Sequence, residues 1–204
     1  MNPKGTLYII AAASGTGKTS LTNALSQTLE NIKISVSHTT RPIRINEIAN
    51  QHYFFVTVEE FEKLIKQQAF LEYAHVFGHY YGTSRQAIEE RLNAGFDVIL
   101  DIDWQGARQV REQIECTTIF LLPPSYPELR LRLEKRKRED SKLIEERLAA
   151  ASSEISHYKE FDYVIINDKF ENALLDLQII VRSQRLRLKN QIAKCDSLIR
   201  ELLI

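Results

Sequence analysis

Gly15, Gly17, Lys18 and Thr19 stand directly behind the apolar run Leu7 to Ala13 and directly ahead of a helical pattern. Glycines at such a turn let backbone N–H groups close around a polyphosphate, and the positive end of the following helix adds its pull. Lys18 would then reach the β- and γ-phosphates of a nucleotide, and the Thr19 hydroxyl would complete a Mg²⁺ shell. The general pattern G-x-x-x-x-G-K-[ST] has alanine at its first position, Ala12. Alanine disfavours positive φ, so the chain has to enter the loop with an ordinary backbone angle there. A glycine-containing strand–helix turn that merely packs is the competing reading of the same residues.

Three further groups of residues carry chemistry. Asp101 and Asp103 close the apolar segment DVILDID, and period-two alternation puts both carboxylates on one side of a strand running to 103. There they would order Mg²⁺-bound water or an incoming phosphate acceptor; the alternative is that they cap the next helix. Asp103-Trp-Gln-Gly106 also matches the D-x-x-G of regulatory GTPases, but the chain lacks the N-K-x-D that reads guanine in those proteins. Arg41 and Arg44, followed by Glu47 and Tyr53, form a fork suited to a phosphate monoester, unless they only decorate a solvated loop. Glu72 lies in an aromatic, β-prone segment near Tyr80-Tyr81-Gly82-Thr83. A buried carboxylate there needs a partner, and guanine offers two adjacent donors, N1–H and the 2-amino group, where adenine offers an acceptor at N1. Such matched burial discriminates by roughly 10⁴ or more. An exposed glutamate on an edge strand is the other reading.

The run Arg130 to Arg138 is basic, and Arg132 and Arg136 share a helix face. It reads as a solvated helix end, as a nucleic-acid or localisation patch, or as a mobile lid. In the lid reading Arg132, Arg136 and Arg147 stabilise charge on a transferring phosphoryl group.

The elements that must position these groups follow from periodicity. Apolar strands alternate with helices: strands at 32–37, 97–103, 118–122 and 163–166, helices at 84–94, to Ile114, at 141–158 and from Lys169, the last capped by Asp168. Thr57-Val-Glu-Glu60 and Ser125-Tyr-Pro-Glu128 read as capping boxes. Residues 38–83 are polar, turn-rich and β-prone, a small insertion between core elements. An α/β fold with a central parallel sheet covered on both faces results. The 204 residues suit one such domain, and 27 basic against 27 acidic side chains argue against a nucleic-acid or membrane surface. Two distant cysteines, Cys116 and Cys195, show no metal or redox spacing, and no secretion signal or spanning segment stands out. A cytoplasmic chain is expected. The apolar positions Leu198, Ile199, Leu202 and Leu203 near the C-terminus suit core packing or self-association into a homo-oligomer through the C-terminal helix.

Taken together, SGTGKT, SVSHTTR, HYFF, FLEYAHVFGHYYGTS, ILDIDWQG and VIIND, in that order over about residues 5–183, resemble the guanylate kinases, and the bacterial housekeeping enzymes in particular. The resemblance implies a P-loop NTPase three-layer fold with a core of 1–37, 84–125 and 162–204, a GMP-binding insertion at 38–83 and a lid at 126–161. It implies Mg²⁺-assisted transfer of phosphate from ATP to GMP. ATP would contact Ala12, Ala13, Ser14, Gly15, Thr16, Gly17, Lys18 and Thr19, with Asn167 near adenine. GMP would contact Ser37, Arg41, Arg44, Tyr53, Glu72, Tyr81, Thr83, Asp101 and Asp103. Lys18, Arg41, Arg132, Arg136 and Arg147 would be catalytic, and Thr19 would hold Mg²⁺ with Asp101 assisting through water. Non-catalytic scaffold modules are similar in fold but typically lose the loop lysine that this chain keeps. Against the family pattern, Asn46 and Asn50 replace loop glycines, and Lys135 and Lys137 replace lid glycines.

Overall fold

The computed structural model describes residues 4–45, 47–76, 78–136 and 141–203, and for residues 136 and 141–143 the backbone alone. Strand β1 (Leu7–Ala12) leads into helix α1 (Lys18–Thr28) and strand β2 (Ile32–Ile34). Next come β3 (Ser37–Thr39), β4 (Tyr53–Phe55), α2 (Val58–Lys66), β5 (Phe70–Val76) and β6 (His79–Ser84). After α3 (Arg85–Asn93) follow β7 (Asp97–Asp101), α4 (Trp104–Arg111) and β8 (Thr117–Leu122). The helices α5 (Tyr126–Arg136) and α6 (Ser141–Ile155) and a 3₁₀ turn at Ser156–Glu160 precede β9 (Tyr163–Ile166), α7 (Phe170–Arg185) and α8 (Leu188–Leu202).

The core sheet is parallel, in the order β2-β7-β1-β8-β9. Its pleat sorts β1 by alternation. Tyr8 and Ile10 join Leu21 and Leu25 of α1 and Leu177 and Val181 of α7 in one apolar cluster. Leu7 and Ile9 face the other way, into a cluster with Ile88 and Leu92 of α3 and Ala107 and Val110 of α4. Both faces are therefore covered by helices, as buried parallel strands require. A third cluster joins Ala13 to Leu129 and Leu133 of α5 and Leu148 and Ala151 of α6, so these two helices rest on the loop after β1.

The insertion is a second sheet in the order β4-β3-β6-β5, with α2 beside it. Phe61 of α2 stacks on Phe70 at 4.5 Å and on Tyr80 at 5.1 Å between ring centroids. The expected capping box at α2 forms in full: Glu60 N donates to the Thr57 hydroxyl at 3.1 Å, and Thr57 N donates to the Glu60 carboxylate at 2.8 Å.

Several boundaries differ from expectation. The single strand expected at 32–37 is divided: β2 ends at Ile34 in the core, and Ser37 pairs with Tyr53 in the small sheet. That sheet runs to Ser84. The strand expected to reach Asp103 ends at Asp101, and α4 ends at Arg111 rather than Ile114. The 141–158 helix ends at Ile155 and tightens into the 3₁₀ turn. At the second capping box only half forms: Glu128 N donates to Ser125 Oγ at 3.2 Å, while the Glu128 carboxylate turns to Arg132. The cap of α7 is Lys169, without a side-chain bond, so Asp168 does not cap it. The C-terminal region is two helices, α7 and α8, the second kinked at Cys195.

Candidate active site

The loop after β1 is held in the shape that anion binding demands. Ala12 is the last residue of the strand, and the chain turns at Gly15 and Gly17, with φ of 87° and 99°. A methyl group on Gly17 would lie 2.7 Å from Asn167 Nδ2, so both its backbone angle and its surroundings exclude a side chain. Gly17 is the N-cap of α1 and no side chain caps that helix, leaving first-turn N–H groups for an incoming anion. The Thr16 carbonyl is drawn outward by two donors, Asn167 Nδ2 at 2.7 Å and Arg132 Nη1 at 3.3 Å. A cavity of about 490 Å³ opens at the loop, lined among others by Lys18, Thr19, Val76, Asp103, Arg132 and Glu154.

Lys18 Nζ lies 2.5 Å from Asp101 Oδ1 and donates to the Ile102 carbonyl at 3.0 Å. The end of β7 thus positions the loop lysine. Asp103 is different. It is the N-cap of α4, accepting from Gly106 N at 2.8 Å, so the two aspartates do not share a strand face. Asp103 still lines the loop cavity, and its charge acts on both Glu72 and Glu154. Glu154 of α6 went unnoticed in the sequence. Its carboxylate accepts from Ser14 N at 3.3 Å, and burial pushes its pKa up.

The small sheet supplies the second half of the site. Glu72 is only 5% exposed and accepts from the Thr83 hydroxyl at 2.5 Å. Burial pushes its pKa up to about 7; the Thr83 bond pulls down and the Asp103 charge pushes up. A β-bulge between Phe70 and Glu72 inserts Leu71 into the ladder. Leu71 reaches the core cluster that includes Ala107 and Val110, while Glu72 Oε2 lies 3.1 Å from where a Cβ on Gly106 would stand. A side chain at position 106 would crowd this carboxylate, so glycine there leaves it room and gives the D-x-x-G match a structural reading.

Arg41 is nearly buried and is not half of a preformed fork. Its Nη2 pairs with Glu47 Oε1 at 2.7 Å and its Nη1 donates to the Pro42 carbonyl at 2.8 Å. Glu47 also accepts from Arg44 N at 2.9 Å, while the Arg44 side chain is exposed. The Arg41 guanidinium lies 5.5 Å from the Tyr53 ring, whose centroid is 6.1 Å from that of Tyr81. Burial, with the charge of Asp101 next, raises the Tyr53 pKa. Arg41, Tyr53 and Tyr81 thus form one group, with Ser37 half-buried beside Tyr53 in the β3–β4 pairing. Asn50 takes φ of 65°, the left-handed angle that glycine or asparagine accommodates.

On the lid, Arg132 is already engaged. Besides Thr16, it donates to the Asn167 carbonyl at 3.1 Å and to Glu128 Oε1 at 2.8 Å. Asn167, expected near adenine, is 5% exposed and braces the loop. Arg147 is half-buried on α6. The Arg136 side chain, Asn46 and Lys137 lie outside the described residues, whereas Lys135 continues α5 as helix.

A parallel α/β sheet with a glycine-turned loop ahead of α1, and a lysine at its end, defines a P-loop nucleotide-binding protein. The family model described as Guanylate kinase matches residues 4–184, and the chain belongs to the guanylate kinase family. It is similar to the guanylate kinase of Photobacterium profundum, 53% identical over 203 residues covering 98% of each chain. It is likewise 52% identical to the Escherichia coli guanylate kinase, again over 98% of both. Its structure resembles the crystal structure of guanylate kinase from Anaplasma phagocytophilum, with a TM-score of 0.75 and 34% identity over 93% of this chain and 90% of the other. The protein is an enzyme, a nucleoside monophosphate kinase. Among the described residues no helix is long and apolar enough to cross a membrane.

Proposed function

We infer that the protein transfers the γ-phosphate of ATP to GMP, giving ADP and GDP. The observation that carries this reading is the dry Glu72 carboxylate on the insertion, bonded to Thr83 and coupled through Asp103 to the phosphate-loop cavity. ATP lies with its phosphates on residues 12–19. Guanine donates N1–H and its 2-amino hydrogens to Glu72, with Thr83 and Ser37 beside it. Arg41, Arg44, Tyr53 and Tyr81 take the GMP phosphate, so Glu47 must release Arg41 as that anion arrives. Lys18 likewise exchanges Asp101 for phosphate oxygens. A GMP phosphate oxygen attacks the γ-phosphorus in line, the bond to the β–γ bridging oxygen breaks, and ADP leaves. No covalent intermediate is needed; alignment and charge stabilisation suffice. Arg132 would turn from Thr16 and Asn167 onto the transferring group, joined by Arg136 and Arg147. Closing residues 126–161 over the loop excludes water as a rival acceptor.

Mg²⁺ fits the residues present. Thr19 opens onto the loop cavity, Asp101 stands beside Lys18, and both are oxygen donors of the kind Mg²⁺ accepts alongside water and phosphate. When bound, the ion neutralises developing charge on the phosphates. The chain acts in the cytoplasm. It self-associates through α8, whose Ile192, Leu198 and Leu202 are exposed; light scattering on the full chain tests this. Turnover with a panel of nucleoside monophosphates tests the activity. GMP is the expected substrate; phosphorylation of AMP or TMP without GMP would overturn the assignment to Glu72.

A further inference from the structure

We propose that Gln109 and Gln113 are positioning residues that fix Glu72 for reading the base, a proposal that rests on the assignment of Glu72 to guanine. Among the described residues β5 is the edge of the small sheet, with β6 on one side and no strand on the other. An edge leaves main-chain N–H and C=O groups unpaired, and fraying there would move Glu72. Along the open edge, α4 stands in for the missing strand. Tyr73 N donates to Gln109 Oε1 at 3.1 Å, and Gln109 Nε2 donates to the Tyr73 carbonyl at 3.1 Å. Gln113 Nε2 donates to the Leu71 carbonyl at 2.6 Å and to the Gln109 carbonyl at 2.8 Å, while its own Oε1 accepts from Arg85.

The residues on both sides of Glu72 are thus held by side-chain amides, Gln109 from α4 and Gln113 from the turn that follows it. An amide side chain offers a donor and an acceptor in one plane, as a peptide group does. Its orientation is set by the partners: the oxygen must meet Tyr73 N–H and the nitrogen must meet Tyr73 C=O. Positions 106 and 109 share a face of α4, and Gln113 follows in the turn closed by its N–H on the Val110 carbonyl. This stretch supplies the space for the carboxylate at Gly106 and the brace for its backbone at the two glutamines. The bulge at Leu71 makes the brace necessary, because the extra residue breaks the regular ladder next to Glu72.

The test uses Gln109→Met and Gln113→Met, which keep side-chain volume and remove the hydrogen bonds, in the full-length enzyme. Both are assayed at a temperature where circular dichroism shows them folded, alone and combined with Glu72→Ala. The expected result is a roughly tenfold fall in kcat/KM for GMP, carried by KM, with kcat and the KM for ATP nearly unchanged. In the Glu72→Ala background the glutamine substitutions add nothing further, because they act through that carboxylate. An unchanged KM for GMP, or an equal loss with and without Glu72, overturns the brace while leaving guanine recognition intact. If Glu72→Ala itself leaves the KM for GMP unaltered, guanine recognition by Glu72 falls and the brace falls with it.

Discussion

Acidification from pH 8 to pH 5.5 is expected to weaken GMP binding through protonation of Glu72. The carboxyl is pushed up to about 7 in the nucleotide-free protein, chiefly by burial and further by Asp103. Guanine presents donors to it, so only the ionised form binds well. Below pH 7 the protonated fraction grows, and affinity falls about tenfold per pH unit. Between pH 8 and 5.5 this amounts to roughly 30-fold, with one proton released per GMP bound near pH 6. The same displacement acts on folding with the opposite sign to a salt-bridged acid. The carboxyl lies above its ordinary 4.5, so the fold favours the protonated form. The resulting cost is absent below pH 4.5, grows between 4.5 and 7, and is complete above 7. At 1.36 kcal/mol per pH unit it is about 3 kcal/mol, a penalty that bound GMP relieves. Calorimetric titration in buffers of different ionisation enthalpy measures both the affinity and the proton count. The GMP phosphate also titrates near pH 6, so Glu72→Gln, which keeps only that transition, provides the reference. A wild-type pH dependence no steeper than that of Glu72→Gln would refute the reasoning.

Lys18→Ala should leave the melting temperature nearly unchanged and lower kcat roughly 10²–10³-fold, as loss of one well-placed charge-stabilising group does; steady-state turnover checks it, and near-normal turnover would remove Lys18 from the chemistry. Gly17→Ala should cost at least about 1 kcal/mol in thermal unfolding and weaken ATP binding, because the φ of 99° disfavours alanine and the new methyl displaces Asn167 from Thr16. Glu154→Gln should tighten ATP binding roughly fivefold by removing a negative charge from the loop cavity beside Ser14. Titration of ATP into the two proteins decides the last case; weaker binding by the variant would mean that the carboxylate helps hold the nucleotide.

The parts of the site that depend on neighbours in sequence were legible in advance. Gly15, Gly17, Lys18 and Thr19 are consecutive enough that strand, turn and helix imply their geometry, and Thr57 with Glu60 announces a helix start through bonds three residues apart. Asp103 was ambiguous for a physical reason: an aspartate after an apolar strand serves equally as its last residue or as the next helix cap, and alternation alone does not choose. The division of residues 32–37 between two sheets is set by which strands lie alongside, since β2 pairs with β7 and β3 with β4 and β6. Register is likewise nonlocal, so the bulge at Leu71 left no mark in composition. Glu154 meets Ser14 across 140 positions, and Gln109 meets Tyr73 across 36; neither belongs to a short motif. The pairing of Arg41 with Glu47, six residues on, was not legible either, since residue types alone do not say which carboxylate a guanidinium meets.

Leu71 ties β5 into the apolar interior shared by β1, β7 and α4. With guanine on Glu72 as proposed, the purine would meet a wall fastened to the same block as the nucleotide-gripping turn. Tyr53 lies on β4, the strand of the small sheet farthest from β5, and Arg41 follows β3 beside it. If the proposed roles hold, heterocycle choice and phosphate capture sit on opposite edges of one sheet, and redesign of the base preference would work on β5 and α4 while leaving β4 untouched.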